Sequence, residues 1–117
     1  MKKVHCPIIK VNPDDNFHYF FGYYDKCPWN SDETKVLCHR ASFIDHEVEL
    51  GTIDLKSNEF STFDTTSAWN WQQGAQLQWI DWEGCECAIY NIREHGDVHA
   101  RIYNMETGKK VDLPYSI

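Results

Sequence analysis

Apolar and polar residues alternate along most of this chain with a period of two, in short runs separated by turn-forming residues. That pattern predicts strands over 18–24, 35–42, 48–55, 59–63, 75–80, 86–92, 99–104 and 109–113. No stretch carries the spacing of an amphipathic helix. Pro7, Pro13, Pro28 and Pro114 all fall outside the strand interiors, as ladder hydrogen bonding requires. NSDET (30–34) and KSN (56–58) are short and rich in Asn, Asp and Ser, residues that favour tight bends. STFDTTSAWNWQQGA (61–75) differs, being long for a connection.

The alternation repeats at a larger scale. WNSDETKVLCH (29–39) and WIDWEGCECAIY (79–90) each contain a Trp, an acidic turn and an apolar run. Trp29 and Trp79 are 50 positions apart, and the centres of the runs, Leu37 and Ala88, are 51 apart. GTIDLKSNEFSTF (51–63) likewise matches ARIYNMETGKKVDL (100–113), with Ile53 and Ile102 offset by 49. A period near 50 built of short strands points to a solenoid, array or propeller. Four strands per repeat is the make-up of a propeller blade. The expected fold is therefore all-β, with antiparallel four-stranded β-propeller blades at 17–64 and 65–117.

These segments also carry a family resemblance. W-N-S-D-E-T-K-V-L-C resembles the W-S-P-D-G-x-x-[IV]-[AL]-[FY] signature of TolB-like (WD40-like) propeller repeats, and W-I-D-W-E-G-C-E-C-A-I is similar with one residue inserted. I-D-L-K-S-N-E-F and I-Y-N-M-E-T-G-K-K-V resemble the other half of the same blade. HYFFGYYDKCPWN and TTSAWNWQQGAQLQW look like stretches of a group of uncharacterised bacterial propeller proteins, more distantly similar to oligogalacturonate lyases. The resemblance implies a propeller of six or seven blades, of which this chain supplies about two. It thus implies either the N-terminal part of a longer protein or a fragment that assembles with copies of itself, and the ending LPYSI favours the former. Lyases of that kind hold a manganese ion through His and Gln residues of later blades. No residue here matches them, so no metal, cofactor or catalytic position is expected within this chain, although a divalent metal such as manganese fits the complete propeller.

Composition narrows the partners. The 117 residues carry a net charge of -7, which disfavours the polyanionic backbone of nucleic acid. No apolar run reaches the length of a membrane span, and the N-terminus lacks the apolar centre of a signal peptide, so the expectation is a cytoplasmic protein without membrane contact. Five cysteines without framework spacing fit reduced thiols. Cys85 and Cys87 would share one face of a strand and are expected to pack rather than ligate.

The best site candidate is AWNWQQG (68–74). In an extended chain Trp69 and Trp71 share one side and Asn70 and Gln72 the other. Indole faces stack on sugar C–H groups, and amides such as Gln72 and Gln73 both donate and accept hydrogen bonds. The same residues could instead seal an inter-blade core. Trp79, the repeat's own tryptophan, is expected to pack. His18, Tyr23, Tyr24 and Asp25 are candidates for a polar cluster at the open face, although Asp25 beside Lys26 also reads as a surface ion pair. His39 is expected to be a satisfied core residue, and His95 and His99 exposed residues of a hairpin turn. Arg40 and Arg93 are the available cations for neutralising a uronate carboxylate, should the parent protein be a polysaccharide lyase. No GxSxG, P-loop or HExxH motif is present. The functional expectation is a face that binds an oligosaccharide, another polar small molecule or a protein, with the remaining blades or other copies meeting the open strand edges.

Overall fold

The computed structural model describes residues 9–23, 25–42 and 46–117. Every regular element among them is a strand: β1 (His18–Phe20), β2 (Lys35–Ala41), β3 (Val48–Asp54), β4 (Phe60–Thr66), β5 (Gln78–Trp82), β6 (Cys85–Glu94), β7 (Asp97–Asn104) and β8 (Lys110–Asp112). They form two four-stranded antiparallel sheets, ordered β1-β2-β3-β4 and β5-β6-β7-β8. No helix among the described residues is long and apolar enough to cross a membrane.

Eight strands appear where alternation predicts them, with shifted ends. β6 and β7 run longer because their hairpin loops are only Glu83-Gly84 and His95-Gly96. All four residues have positive φ, at 54°, 74°, 52° and 84°, the geometry of the two-residue turn whose twist matches paired strands. β1 stops at Phe20, and Phe21 turns into the core instead of extending the ladder. β5 begins at Gln78 rather than residue 75, because Gln76 has a φ of 58° and interrupts the extended chain. β4 continues to Thr66, beyond the predicted 63.

The two sheets share one construction. Asp54 and Asn104 each accept backbone N–H groups two and three residues on, from Lys56 and Ser57 in one turn and Glu106 and Thr107 in the other. Both are the short polar side chains that nucleate such turns. Asp54 and Asn104 are 50 apart, so Ile53 corresponds to Tyr103, and Ile102 to Thr52. The sequence offset of 49 is thus one residue out of register, which exchanges the faces of the strand. Likewise Trp29 bridges Val36 while Trp79 pairs with Ala88, so the second hairpin is two residues longer and Leu37 corresponds to Ile89.

Each sheet therefore has a front and a back. The back of the first sheet contributes Leu37, Ala41, Val48 and Leu50, and the front of the second contributes Ala88, Tyr90 and Ile92. They interlock around Ala75 and Leu77 from the crossing segment, forming the main core. Burying each Leu, Val or Ile side chain among them is worth roughly 1.5–3 kcal/mol. On the front of the first sheet, Val36, Cys38 and Ile53 pack beneath Val11, Tyr19, Leu55 and Phe60. Gly51 is required there, because a Cβ would run into the Phe60 ring and the Ser61 carbonyl.

Polar ties cross the same interface. Trp79 donates its indole N–H to the Pro28 carbonyl at 2.7 Å, and Glu86 accepts from the Ser31 backbone and hydroxyl at 3.1 and 2.9 Å. Tyr90 donates to Asp64 at 2.6 Å, and Arg101 adds a second bond to Asp64 at 3.2 Å. Burial, reinforced by the Asp64 carboxylate, pushes the Tyr90 hydroxyl well above its ordinary pKa and keeps it a donor. Cys27, Cys38, Cys85 and Cys87 are all free thiols, and burial pushes Cys38 up to about 12, leaving it unreactive. Cys6 lies outside the described residues.

Tyr90→Phe should lower unfolding stability by about 1.5–3 kcal/mol, the scale of a hydrogen bond to a charged acceptor. Urea titration should show a reduced midpoint with an unchanged slope. An unchanged midpoint would mean that the Tyr90–Asp64 bond contributes nothing.

Candidate functional site

The connection between the sheets is tied down by its own side chains before it presents anything to solvent. Thr66 donates to the Asn91 carbonyl at 2.8 Å and accepts the Ala68 N–H at 3.0 Å. Asn70 then nucleates a closed turn: its side-chain oxygen accepts the N–H groups of Gln72 and Gln73 at 3.0 and 2.7 Å. Gly74 donates back to the Asn70 carbonyl at 2.8 Å and has a φ of 63°. No other residue fits position 74, since a Cβ would collide with the His39 imidazole.

His39 is the floor of this arrangement. It is 0% exposed and stacked on Phe20 with centroids 4.6 Å apart. Its Nε2 lies 3.0 Å from the Ala75 N–H, which can only donate, so Nε2 is the bare nitrogen. Nδ1 therefore carries the proton and donates to the Phe20 carbonyl at 3.2 Å. Burial lowers the His39 pKa to about 4 and keeps the ring neutral. The core role expected for His39 is thus what the structure shows. In the second sheet the corresponding residue is Asn91, whose side chain exchanges two hydrogen bonds with the Ile117 backbone at 2.9 and 3.0 Å.

Above this floor stands a wall of rings. Trp69 and Trp71 share one side of the turn, with centroids 4.9 Å apart and planes at 80°. Both reach Phe20, at 6.0 and 5.4 Å, and the His18 ring meets Trp71 edge-on at 6.4 Å. The two tryptophans nevertheless have different positions. Trp69 packs against the core and donates its indole N–H to the His46 carbonyl at 2.8 Å, whereas Trp71 is 50% exposed. Gln72 and Gln73 are exposed at the tip of the turn, and Gln73 accepts from Gln76 at 3.0 Å.

Asp25 is held by Lys26 at 3.4 Å, the surface ion pair, and Tyr24 lies outside the described residues. Arg40 follows His39 on β2 and so points to the opposite, front face. There its guanidinium lies between the Phe17 and Phe60 rings, at 4.7 and 4.6 Å, and bonds Glu49. That bond holds the Glu49 carboxyl below its usual range. Arg93 corresponds by register to Ala41, not Arg40, and is exposed on the back of the second sheet. The two arginines therefore face opposite ways and do not converge.

His99 departs from its expected place. It is a half-buried residue of β7 paired with Asp112 at 3.2 Å, while His95 alone is an exposed turn residue. Glu94, His99 and Asp112 bring donor atoms within 4.8 Å of one another. Arg101 already supplies the positive charge at that spot, bonding Glu94 at 2.9 Å and Asp112 at 2.6 Å. Its influence keeps the Asp112 carboxyl below the usual range. Arg101 was not singled out by sequence reasoning, because its partners come from β4, β6 and β8. A cleft of about 680 Å³ lined by Trp29, Lys35, Trp79, Asp81 and Glu106 opens between the sheets at the end away from the Trp71 wall.

No family model matches the chain, and no curated protein or solved structure is significantly similar to it.

Two outcomes follow from the His39 geometry. The unfolded chain takes up a proton near pH 6.5 and the folded one only near 4, so stability should rise with pH across that window. The shift corresponds to about 3 kcal/mol, and His39→Asn, which retains an acceptor for Ala75, should flatten the profile. Chemical denaturation between pH 4 and 7 would measure this, and an equal slope in both proteins would refute it. Separately, Gly74→Ala should lower the melting temperature more than Gln72→Ala, because only the former displaces the His39 ring.

Proposed function

We propose that the two sheets are neighbouring blades of a TolB-like β-propeller and that the Trp71 wall is a binding surface for a carbohydrate or other polar ligand. The observation that carries this reading is the half-exposed Trp71 ring, braced from behind by Trp69 and Phe20 and flanked by the exposed Gln72 and Gln73. A large ring held out of the core by a well-ordered turn loses little conformational freedom on binding. Its face suits stacking against the C–H groups of a sugar, and the amides suit hydroxyls.

Binding is favoured over catalysis by the arginines. A lyase needs a cation to neutralise the uronate carboxylate. Arg40 is instead committed to Glu49 between two rings, and Arg93 lies on the opposite face from it.

Trp71→Ala should weaken ligand binding at least tenfold while shifting the melting temperature by only a few degrees. Trp69→Ala should destabilise the fold as well. Calorimetric titration with neutral and uronate oligosaccharides, beside a thermal melt, tests both. Unchanged affinity in Trp71→Ala would sink the reading, as would failure of all these sugars to bind the unaltered protein.

A further inference from the structure

The cleft between the sheets, at the end away from the Trp71 wall, combines rings with charge. It has a volume of about 680 Å³, and its lining includes two tryptophans, Trp29 and Trp79, and three carboxylates, Asp81, Glu86 and Glu106. Trp29 is 44% exposed. Trp79 spends its side-chain N–H on the Pro28 carbonyl, so what it offers the cleft is an apolar ring with an electron-rich face.

The carboxylates form a row across the second sheet. Asp81 and Glu86 stand directly opposite each other on β5 and β6, and Met105, whose N–H bonds the Glu86 carbonyl, carries the row on to Glu106. With strands about 4.8 Å apart, the row covers roughly 10 Å. A hydrogen bond to Glu106, and the charges of Glu106 and Asp81, push the Cys85 thiol above its ordinary pKa, so both carboxylates act on one point. Like charges directly opposite in a sheet repel and destabilise it. Among the described residues no ion pair relieves the three acids. Glu86 is oriented by donors that are all neutral, from Asn30 and Ser31, so its charge is fixed in place without being cancelled. Lys35 also lines the cleft, opposite Asp54 in the ladder of β2 and β3. Three carboxylates against one lysine leave the cleft negative.

We infer that this cleft binds a linear polyamine, a ligand whose protonated amines are joined by short methylene chains. The ammonium groups bond the carboxylate row and relieve the repulsion between Asp81 and Glu86. The methylene links lie against the Trp29 and Trp79 rings, whose faces also attract the adjoining cations. A metal ion would use the carboxylates and leave the rings idle. A neutral sugar would use the rings and leave the charge unanswered. The site is separate from the Trp71 surface and does not depend on ligand binding there.

Calorimetric titration of the full chain with spermidine, butylamine and magnesium ions tests this. Spermidine should bind about tenfold or more tightly than either of the others, since it alone engages both the row and the rings. Asp81→Asn and Trp29→Leu should each weaken spermidine binding about tenfold. Asp97→Asn, which removes an exposed carboxylate at the far end of β7, should leave the affinity unchanged. Glu106→Gln takes the place of either cleft variant that lacks a native circular dichroism spectrum. Failure of spermidine to bind the unaltered protein would overturn the inference. So would equal affinity for butylamine or magnesium, or full affinity in a folded cleft variant. An equal loss in Asp81→Asn and Asp97→Asn would overturn it too, by revealing only a general attraction of polycations to a chain of net charge -7.

Discussion

A four-stranded antiparallel sheet with apolar side chains on both faces needs a partner on each, and that requirement organises this molecule. The back of the first sheet meets it by receiving the front of the second, with Leu37 and Leu50 against Ala88 and Tyr90. The contact is apolar in its middle and polar at its margins. Glu86 ties Ser31 on one side, and Asp64 gathers Tyr90 and Arg101 on another. Apolar burial brings the sheets together without direction; the buried and half-buried hydrogen bonds select one register among several.

The crossing segment depends on that contact. Ala75 lies between the sheets, donating to His39 of the first and accepting from the backbone of Asn91 in the second. A neutral, single-tautomer histidine suits this place because one nitrogen must accept and the other must donate to Phe20. With Ala75 pinned, the Asn70–Gly74 turn projects from a rigid base, and Trp71 is held at the surface rather than drawn into the core. The proposed ligand surface is therefore a by-product of how the chain passes from one sheet to the next.

Charge is handled locally. The net charge of -7 leaves many carboxylates on the surface, yet Arg40 and Arg101 are each enclosed by acidic or aromatic neighbours. Partly buried guanidinium groups hold several partners at once, and both arginines join strands of a sheet and are not displayed to solvent. This is why Arg40, read from the sequence as an available cation, is a poor candidate for chemistry. It is also why the Glu94–His99–Asp112 group has its positive charge already supplied.

Strand content, the absence of predicted helices and a repeat near 50 residues were legible from alternation and turn chemistry, which are local properties. Local chemistry also accounts for the Asp54 and Asn104 turns, and it places Trp69 and Trp71 on one side of the chain. The face each repeat residue occupies was not legible. Composition aligns Ile53 with Ile102, but hydrogen-bond register aligns Ile53 with Tyr103, and one residue of slip reverses inside and outside. Nor could spacing distinguish Trp69, packed with its N–H spent on His46, from Trp71 at the surface. The amino-acid sequence by itself determined which segments are extended and where they turn, because those preferences act over a few bonds. Only the tertiary structure decided which faces meet and which tryptophan is exposed, because those outcomes depend on partners far apart in the sequence.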